Sequence, residues 1–385
     1  GLDYAPGDVS RTEMYNTYLP PFKDALDEGC EMVMPAFMMV DRTPCVCNPW
    51  LLKEVLRNQW HSDAMAISDY DDIRQLMYHG IAGDKREAAR LARSAGADMD
   101  MMSFAYLRHV PELLEDGSIS MEQLDEACLR VLRLKNKLGL FENPVWCADN
   151  ARQEETCTRQ AHRSSALEAA LRSCVLMKND GVLPLKPGMK VALEGSHADS
   201  RNLLGSWSLD GLAQEVQTLR ESFAADGRIT LTDTEEADVI LFAAGEKQEE
   251  SGEGTSKANP VFPEEQLQQL RQLQATGKPV VLILFCGRPL ILTDVLPCTN
   301  ALMNAWFPGT MGADALRMLL MGDRNPSGHL SMTFPRSVGQ IPIHHDQLTT
   351  SRLYNGGAPY SLRYLDEDLS PLFPFGFGLS YTSFA

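Results

Sequence analysis

Two carboxylates stand apart from the other acidic residues of this chain. Asp69 closes the short apolar run Met65-Ala66-Ile67-Ser68 and is followed by Tyr70 and Asp71. An apolar stretch of strand length that ends in a polar residue, with helical spacing after it, is how a βα unit delivers a reactive group to the carboxyl end of a parallel strand. Asp69 reads equally well as the N-cap of the helix running through Ile73, Leu76 and Met77, since aspartate caps helices efficiently. Glu253 lies in the loop from Gly245 to Lys257, held between Gly252 and Gly254 as if the backbone must approach something closely there. The alternative reading makes it one of several solvated acids, beside Glu246, Glu249 and Glu250. Two isolated carboxylates on separate parts of a chain suit a reaction that needs one as acid and the other as nucleophile or base across a cleft. Cleavage of a glycosidic bond is such a reaction.

No competing constellation is present. There is no GxSxG elbow, P-loop or HExxH, and the glycines from Gly245 to Gly254 are too widely spaced for GxGxxG. In His344-His345-Asp346 adjacent side chains diverge, which reads as a surface turn. The nine cysteines are an odd number. Cys45-Val46-Cys47 is neither a redox CxxC nor half of a paired zinc motif, whereas Cys128, Cys174 and Cys286 sit on apolar strands or helix faces where free buried thiols are common. Neither a metal ion nor an organic cofactor is expected.

These carboxylates need a scaffold, and 385 residues with 44% hydrophobic and 23% charged content suffice for about two soluble domains. A net charge of −17 opposes binding to nucleic acid or anionic lipid. No apolar run is long enough to cross a bilayer. The chain begins Gly1-Leu2-Asp3 without an initiator methionine, and its true start is expected to lie upstream.

The spacing predicts a helix over Tyr18 to Asp27, a strand over Met32 to Ala36, a helix from Trp50, and the strand that ends at Asp69. A helix over Arg86 to Ala95 and a short strand over Ala97 to Met102 complete three βα repeats, part of a parallel sheet or barrel. Ser120-Met121-Glu122-Gln123 opens a capping-box helix whose apolar face is Leu124, Ala127, Cys128, Val131 and Leu138. Residues 1–145 form a first domain, 146–162 a linker and 163–385 a second domain. The second is expected to be a doubly wound, mostly parallel sheet. Its strands are Val191 to Glu194, Val239 to Ala243, Val280 to Phe285 and Ala301 to Trp306, alternating with helices Ser164 to Arg172, Leu212 to Phe223, Glu264 to Leu273 and Ala313 to Leu320.

Several ordered motifs resemble glycoside hydrolase family 3 of the bacterial periplasmic β-glucosidase type. They include Tyr18-Leu19-Pro20-Pro21-Phe22-Lys23, Ile67-Ser68-Asp69-Tyr70, Val175 to Leu185, Ser251-Gly252-Glu253-Gly254, Gly287-Arg288-Pro289-Leu290, Ala305-Trp306-Phe307-Pro308-Gly309, Gly322 to Gly328 and Pro374 to Thr382. The resemblance spans nearly the whole chain. It implies the C-terminal part of a (β/α)8 barrel followed by an α/β sandwich, with the active site at their interface. The earlier barrel units, with a Lys-His pair and an Asp that grip sugar hydroxyls, would precede Gly1. Three units cannot close a barrel, so the first 140 residues alone should be poorly stable.

By the same resemblance Asp69 matches the nucleophile and Glu253 the acid/base of a retaining enzyme, whose carboxyls stand about 5 to 5.5 Å apart. Tyr70 and Phe37 match aromatic positions beside the glucosyl subsite, with Ser206 and Trp207 in a nearby second-domain loop. Met38 stands where Asn is common, Arg42 and Asp71 where Gly is usual, and Lys257 where Arg is usual. The implied activity is an exo-acting β-glucosidase on β-glucosides or oligosaccharides, then a β-xylosidase of the same family. A non-catalytic glycan-binding or scaffold protein is the alternative from another class. A periplasmic or secreted location follows from the resemblance, and a homodimer is compatible with it.

Overall fold

The computed structural model describes residues 2–145, 148–157, 160–209, 211, 213–348, 350–352 and 360–382. The chain divides into two units, Gly1–Asn150 and Ala151–Ala385.

In the first unit the strands are β1 (Met32–Val33), a small antiparallel hairpin of β2 (Met39–Val40) and β3 (Thr43–Pro44), and β4 (Met65–Ala66). β1 and β4 pair in parallel with Met32 opposite Met65, and Ile67 bridges Met99 in parallel. Three successive parallel segments result, joined through helices Trp50–Gln59 and Lys85–Ala95. The expected strand over Met32 to Ala36 stops after Val33, because Pro35 has no N–H to donate to a ladder. That over Ala97 to Met102 shrinks to the single bridge at Met99. Trp50–Gln59 is wound as a π-helix.

Helix Lys85–Ala95 is capped by Asp84, whose side chain accepts from Glu87 N, and buries Ala88, Ala89, Ala92 and Ala95. The capping box at Ser120 forms as its sequence predicts, with Ser120 Oγ accepting from Gln123 N and Gln123 Oε1 accepting from Ser120 N. The expected apolar face of Met121–Lys137 is only partly buried: Ala127 is buried and Leu124 and Val131 are half-buried, but Cys128 and Leu138 are exposed, so Cys128 is not a core thiol. Polar anchors dock this helix: Arg130 reaches Asp63 and Asp98. An apolar hollow of about 450 Å³, bounded by Met14, Leu19, Met39, Val40, Val55 and Trp60 among others, lies beside β1.

The segment read as a linker carries helix Asn150–Cys157, followed by helix Gln160–Ser173. Ala, Arg, Gln and Glu give it helix propensity without an apolar stripe, which is why pattern reading misses it. Cys147 and the Leu212 start of an expected helix lie outside the described residues.

The second unit is built on one six-stranded sheet. Its strands are β5 (Val175–Asn179), β6 (Lys190–Glu194), β7 (Thr230–Leu231), β8 (Val239–Gly245), β9 (Val280–Phe285) and β10 (Ala301–Asn304), in the order β5-β10-β9-β8-β6-β7. All pair in parallel except β5, which runs antiparallel to β10. β8 reads as an unbroken apolar run because both its faces are buried. Val239, Leu241 and Ala243 pack with Leu219, Phe223, Leu316 and Leu320 on one side. Ile240, Phe242 and Ala244 pack with Leu267, Leu270 and Leu273 of helix Glu264–Ala275 on the other. From β6 the chain winds outward to β7, then returns to β8 on the opposite side and continues to β9 and β10. The switch point therefore lies between β6 and β8, and ligand crevices of such sheets open outside the carboxyl ends of the strands there.

Candidate active site

In the first unit the turn after β4 is locked to the neighbouring segment. Ser68 N donates to Met99 O at 2.9 Å, and Met101 N donates to Ser68 Oγ at 2.9 Å. Ser68 Oγ in turn donates to Asp69 O at 2.9 Å, and Asp71 N donates to Met101 O at 2.8 Å. Asp69 is thus fixed at the carboxyl end of a parallel strand. It does not cap the following helix: the N-cap position of Asp72–Gln75 belongs to Asp71 in a left-handed conformation (φ 61°) with no side-chain cap bond. Asp69 Oδ1 instead accepts from Tyr70 N at 2.6 Å, which restricts the carboxylate to one orientation. Tyr70 is exposed. Phe37 is half-buried, edge-on to Tyr4 with centroids 5.5 Å apart. Its carbonyl lies 3.1 Å from His79 Nε2, which must donate to it, so the Phe37 loop is tied to the segment that follows Asp69.

A third acid here escapes sequence reading. Asp72 is buried, its Oδ2 has no hydrogen-bond partner, and burial followed by the charge of Asp69 pushes its pKa up to about 7. Burial, then the charge of Asp72, raises the Cys45 thiol to about 11 and Cys47 to about 12, so neither is a thiolate nucleophile at neutral pH. The only sequence signal was position, three residues beyond Asp69 at the start of a helix.

In the second unit the loops leaving β6 and β8 meet. β8 ends at Gly245, where a Cβ would stand 1.9 Å from Phe285 O, so only glycine allows this approach to β9. Glu246 follows with no exposed surface, which corrects its reading as a solvated acid. Lys257 Nζ lies 3.0 Å and Arg288 Nε 3.1 Å from Glu246 Oε1. Neither is aligned as a hydrogen bond to that oxygen, so attraction there is Coulombic, while Gly287 N donates to Oε2 at 3.1 Å.

Glu253 is exposed between Gly252 (φ 104°) and Gly254 (φ 75°). A Cβ on Gly252 would come within 2.2 Å of Ser206 Oγ and 3.6 Å of Trp207 Cδ1. The expected close backbone approach is therefore made at Gly252, against Ser206 and Trp207, both exposed, whereas a Cβ on Gly254 would meet nothing within 4 Å. Behind this edge His197 is buried, stacked on Phe285 with centroids 4.6 Å apart, and burial lowers its pKa to about 4. It is neutral at pH 7.

His344, His345 and Asp346 are exposed, with His345 and Asp346 in a turn as the sequence suggests, and His345 stacks on Phe375. Among the described residues no group of three His, Cys, Asp or Glu side chains is placed to hold a metal ion. No helix among them is long and apolar enough to cross a membrane.

Two family domains match this chain. The glycosyl hydrolase family 3 N terminal domain covers residues 1–134 and the C-terminal domain covers residues 174–381. The chain is 36% identical to a periplasmic beta-glucosidase of Salmonella typhimurium, covering all of this chain and 57% of the relative. It is 32% identical to a beta-xylosidase of Formosa agariphila, covering all of this chain and 58% of that protein. Among solved structures, beta-glucosidase from Listeria innocua superposes with a TM-score of 0.95 at 36% identity, over all of this chain and 56% of its own. The chain thus spans a little over half the length of the curated relatives it matches. Its fold is part of a (β/α)8 barrel followed in sequence by an α/β sandwich.

Proposed function

The chain belongs to glycosyl hydrolase family 3, and from that premise we propose that the protein is a retaining exo-β-glycosidase. It removes terminal non-reducing β-D-glucosyl residues from oligosaccharides or glucosides by double displacement. One observation carries the reading: each candidate carboxylate occupies the position from which a strand's carboxyl end serves a ligand, Asp69 after β4 and Glu253 on the glycine-flanked loop after β8. Asp69, ionised, attacks the anomeric carbon while Glu253, protonated, hands its proton to the leaving oxygen. Glu253 then returns as base to activate the water that cleaves the glycosyl-enzyme. Tyr70, Phe37 and Trp207 supply aromatic surface for the sugar ring and Ser206 a hydroxyl for its polar edge. The beta-glucosidase relatives of Salmonella and Listeria support glucose at the cleaved end. A complex of a variant of the latter with laminaribiose supports oligosaccharide substrates.

The test uses the full gene product that contains this chain. Asp69→Asn should abolish turnover of every substrate. Glu253→Ala should accumulate glycosyl-enzyme from nitrophenyl β-glucoside, and azide should restore rate by releasing β-glucosyl azide, since a small anion needs no general base. Wild-type-like turnover of Glu253→Ala, unchanged by azide, removes Glu253 from the mechanism. The relative from Formosa favours a second reading, β-xylosidase. A kcat/KM for nitrophenyl β-xyloside above that for the β-glucoside selects it.

A further inference from the structure

The loop that bears Glu253 is fastened at its start, middle and end to one guanidinium. Arg288, on the turn after β9, sits beside the fully buried Glu246 at the loop's start. Its Nη2 donates to Glu250 O in the middle and to Thr255 Oγ1 at 3.4 Å. Thr255 Oγ1 donates in turn to Gly252 O at 2.6 Å, the carbonyl of the peptide bond that leads into Glu253. Lys257 closes the loop's end on Glu246 and, at 3.4 Å, on Glu250 Oε2. A loop with two left-handed glycines has little stiffness of its own, so these polar contacts hold the backbone on either side of Glu253.

We propose that Glu246 and Arg288 are positioning residues for Glu253, acting through Thr255 and the Gly252 carbonyl to hold the acid/base carboxyl where it can protonate the leaving group. This rests on the reading of Glu253 as acid/base. Glu246 orients the guanidinium and touches no substrate. Arg288, so oriented, sets the loop. Lys257 is the second cationic partner of Glu246.

Misplacing a proton donor by about 1 Å can cost on the order of 100-fold, and the loss should fall only on steps that need the proton. The test compares wild type, Glu246→Gln, Thr255→Val and Glu253→Ala in the full gene product, with phenyl and 2,4-dinitrophenyl β-glucosides as probes. For Glu246→Gln, kcat/KM on the phenyl glucoside should fall by about 10- to 100-fold. On the dinitrophenyl glucoside kcat/KM should stay within about 3-fold, while kcat and KM fall together as glycosyl-enzyme accumulates awaiting its base. Thr255→Val cuts the link to Gly252 without disturbing the buried charges, and should show the same pattern at smaller amplitude. It decides the matter if Glu246→Gln does not fold. Equal losses on both substrates, or no loss on the phenyl glucoside, in a folded variant would overturn the positioning role. If Glu253→Ala itself shows no dependence on the leaving group, the acid/base reading fails first and the positioning role fails with it.

Discussion

Replacing Asp98 by asparagine should destabilise the unit that carries Asp69 far more than its small change in shape suggests. The Asp98 side chain is wholly buried and accepts from Arg57 at 3.0 Å, Arg93 at 3.1 Å and Arg130 at 3.0 Å. It also accepts from Ala66 N at 2.9 Å, on the strand that ends at Asp69. Arg93 is itself 4% exposed, so without the carboxylate a guanidinium is left in the interior with its charge uncompensated. Removing one member of a buried ion pair costs about 3–5 kcal/mol, most of it the unpaired charge left behind. Asparagine keeps one acceptor oxygen, which places the expectation near the lower figure, about 3 kcal/mol. Asp63 pairs with Arg130 and Arg133, but its side chain is 56% exposed. Asp63→Asn should therefore cost less than about 1 kcal/mol. The assay is urea and thermal unfolding followed by circular dichroism, with fluorescence of Trp50 and Trp60 as the local probe. A loss below about 1 kcal/mol for Asp98→Asn, or one no larger than for Asp63→Asn, would refute the reasoning.

Two further perturbations test the neighbourhoods of the two carboxylates. Asp72 has its pKa raised from 3.8 to about 7 by burial and by Asp69, so the folded state keeps its proton where the unfolded chain has lost it. Its contribution is full below about pH 4 and is lost as pH rises to about 7, at up to ~1.4 kcal/mol per unit. Asp72→Asn should flatten the fall in melting temperature between pH 4 and 7, and parallel wild-type and variant curves would contradict this. Gly252→Ala places a Cβ 2.2 Å from Ser206 Oγ at a φ of 104°, a conformation costing an alanine about 1–2 kcal/mol. Hydrolysis of phenyl β-glucoside should fall more than that of the dinitrophenyl glucoside, with partial recovery on adding Ser206→Gly. An unchanged rate would mean that the loop tolerates the displacement.

Local chemistry in the chain determines much of this protein. The capping box at Ser120, the strand that delivers Asp69 and the apolar runs of β8 and β9 depend on neighbours a few residues apart, and their patterns carry them. Gly252, beside Glu253, signals a close approach because only glycine lacks the Cβ that would collide there. What the approach is made against depends on strand order. β6 and β8 are adjacent only in the folded sheet, and that adjacency brings Ser206 and Trp207 onto Gly252. The burial of Glu246 and Asp72, the exposure of Cys128 and the reversed direction of β5 likewise turn on partners distant in sequence. An acid's sequence neighbours do not say whether water reaches it. The Glu246 site is made by Lys257 and Arg288, 11 and 42 residues further along the chain, so that only tertiary packing separates a buried, ion-paired carboxylate from the solvated acids beside it.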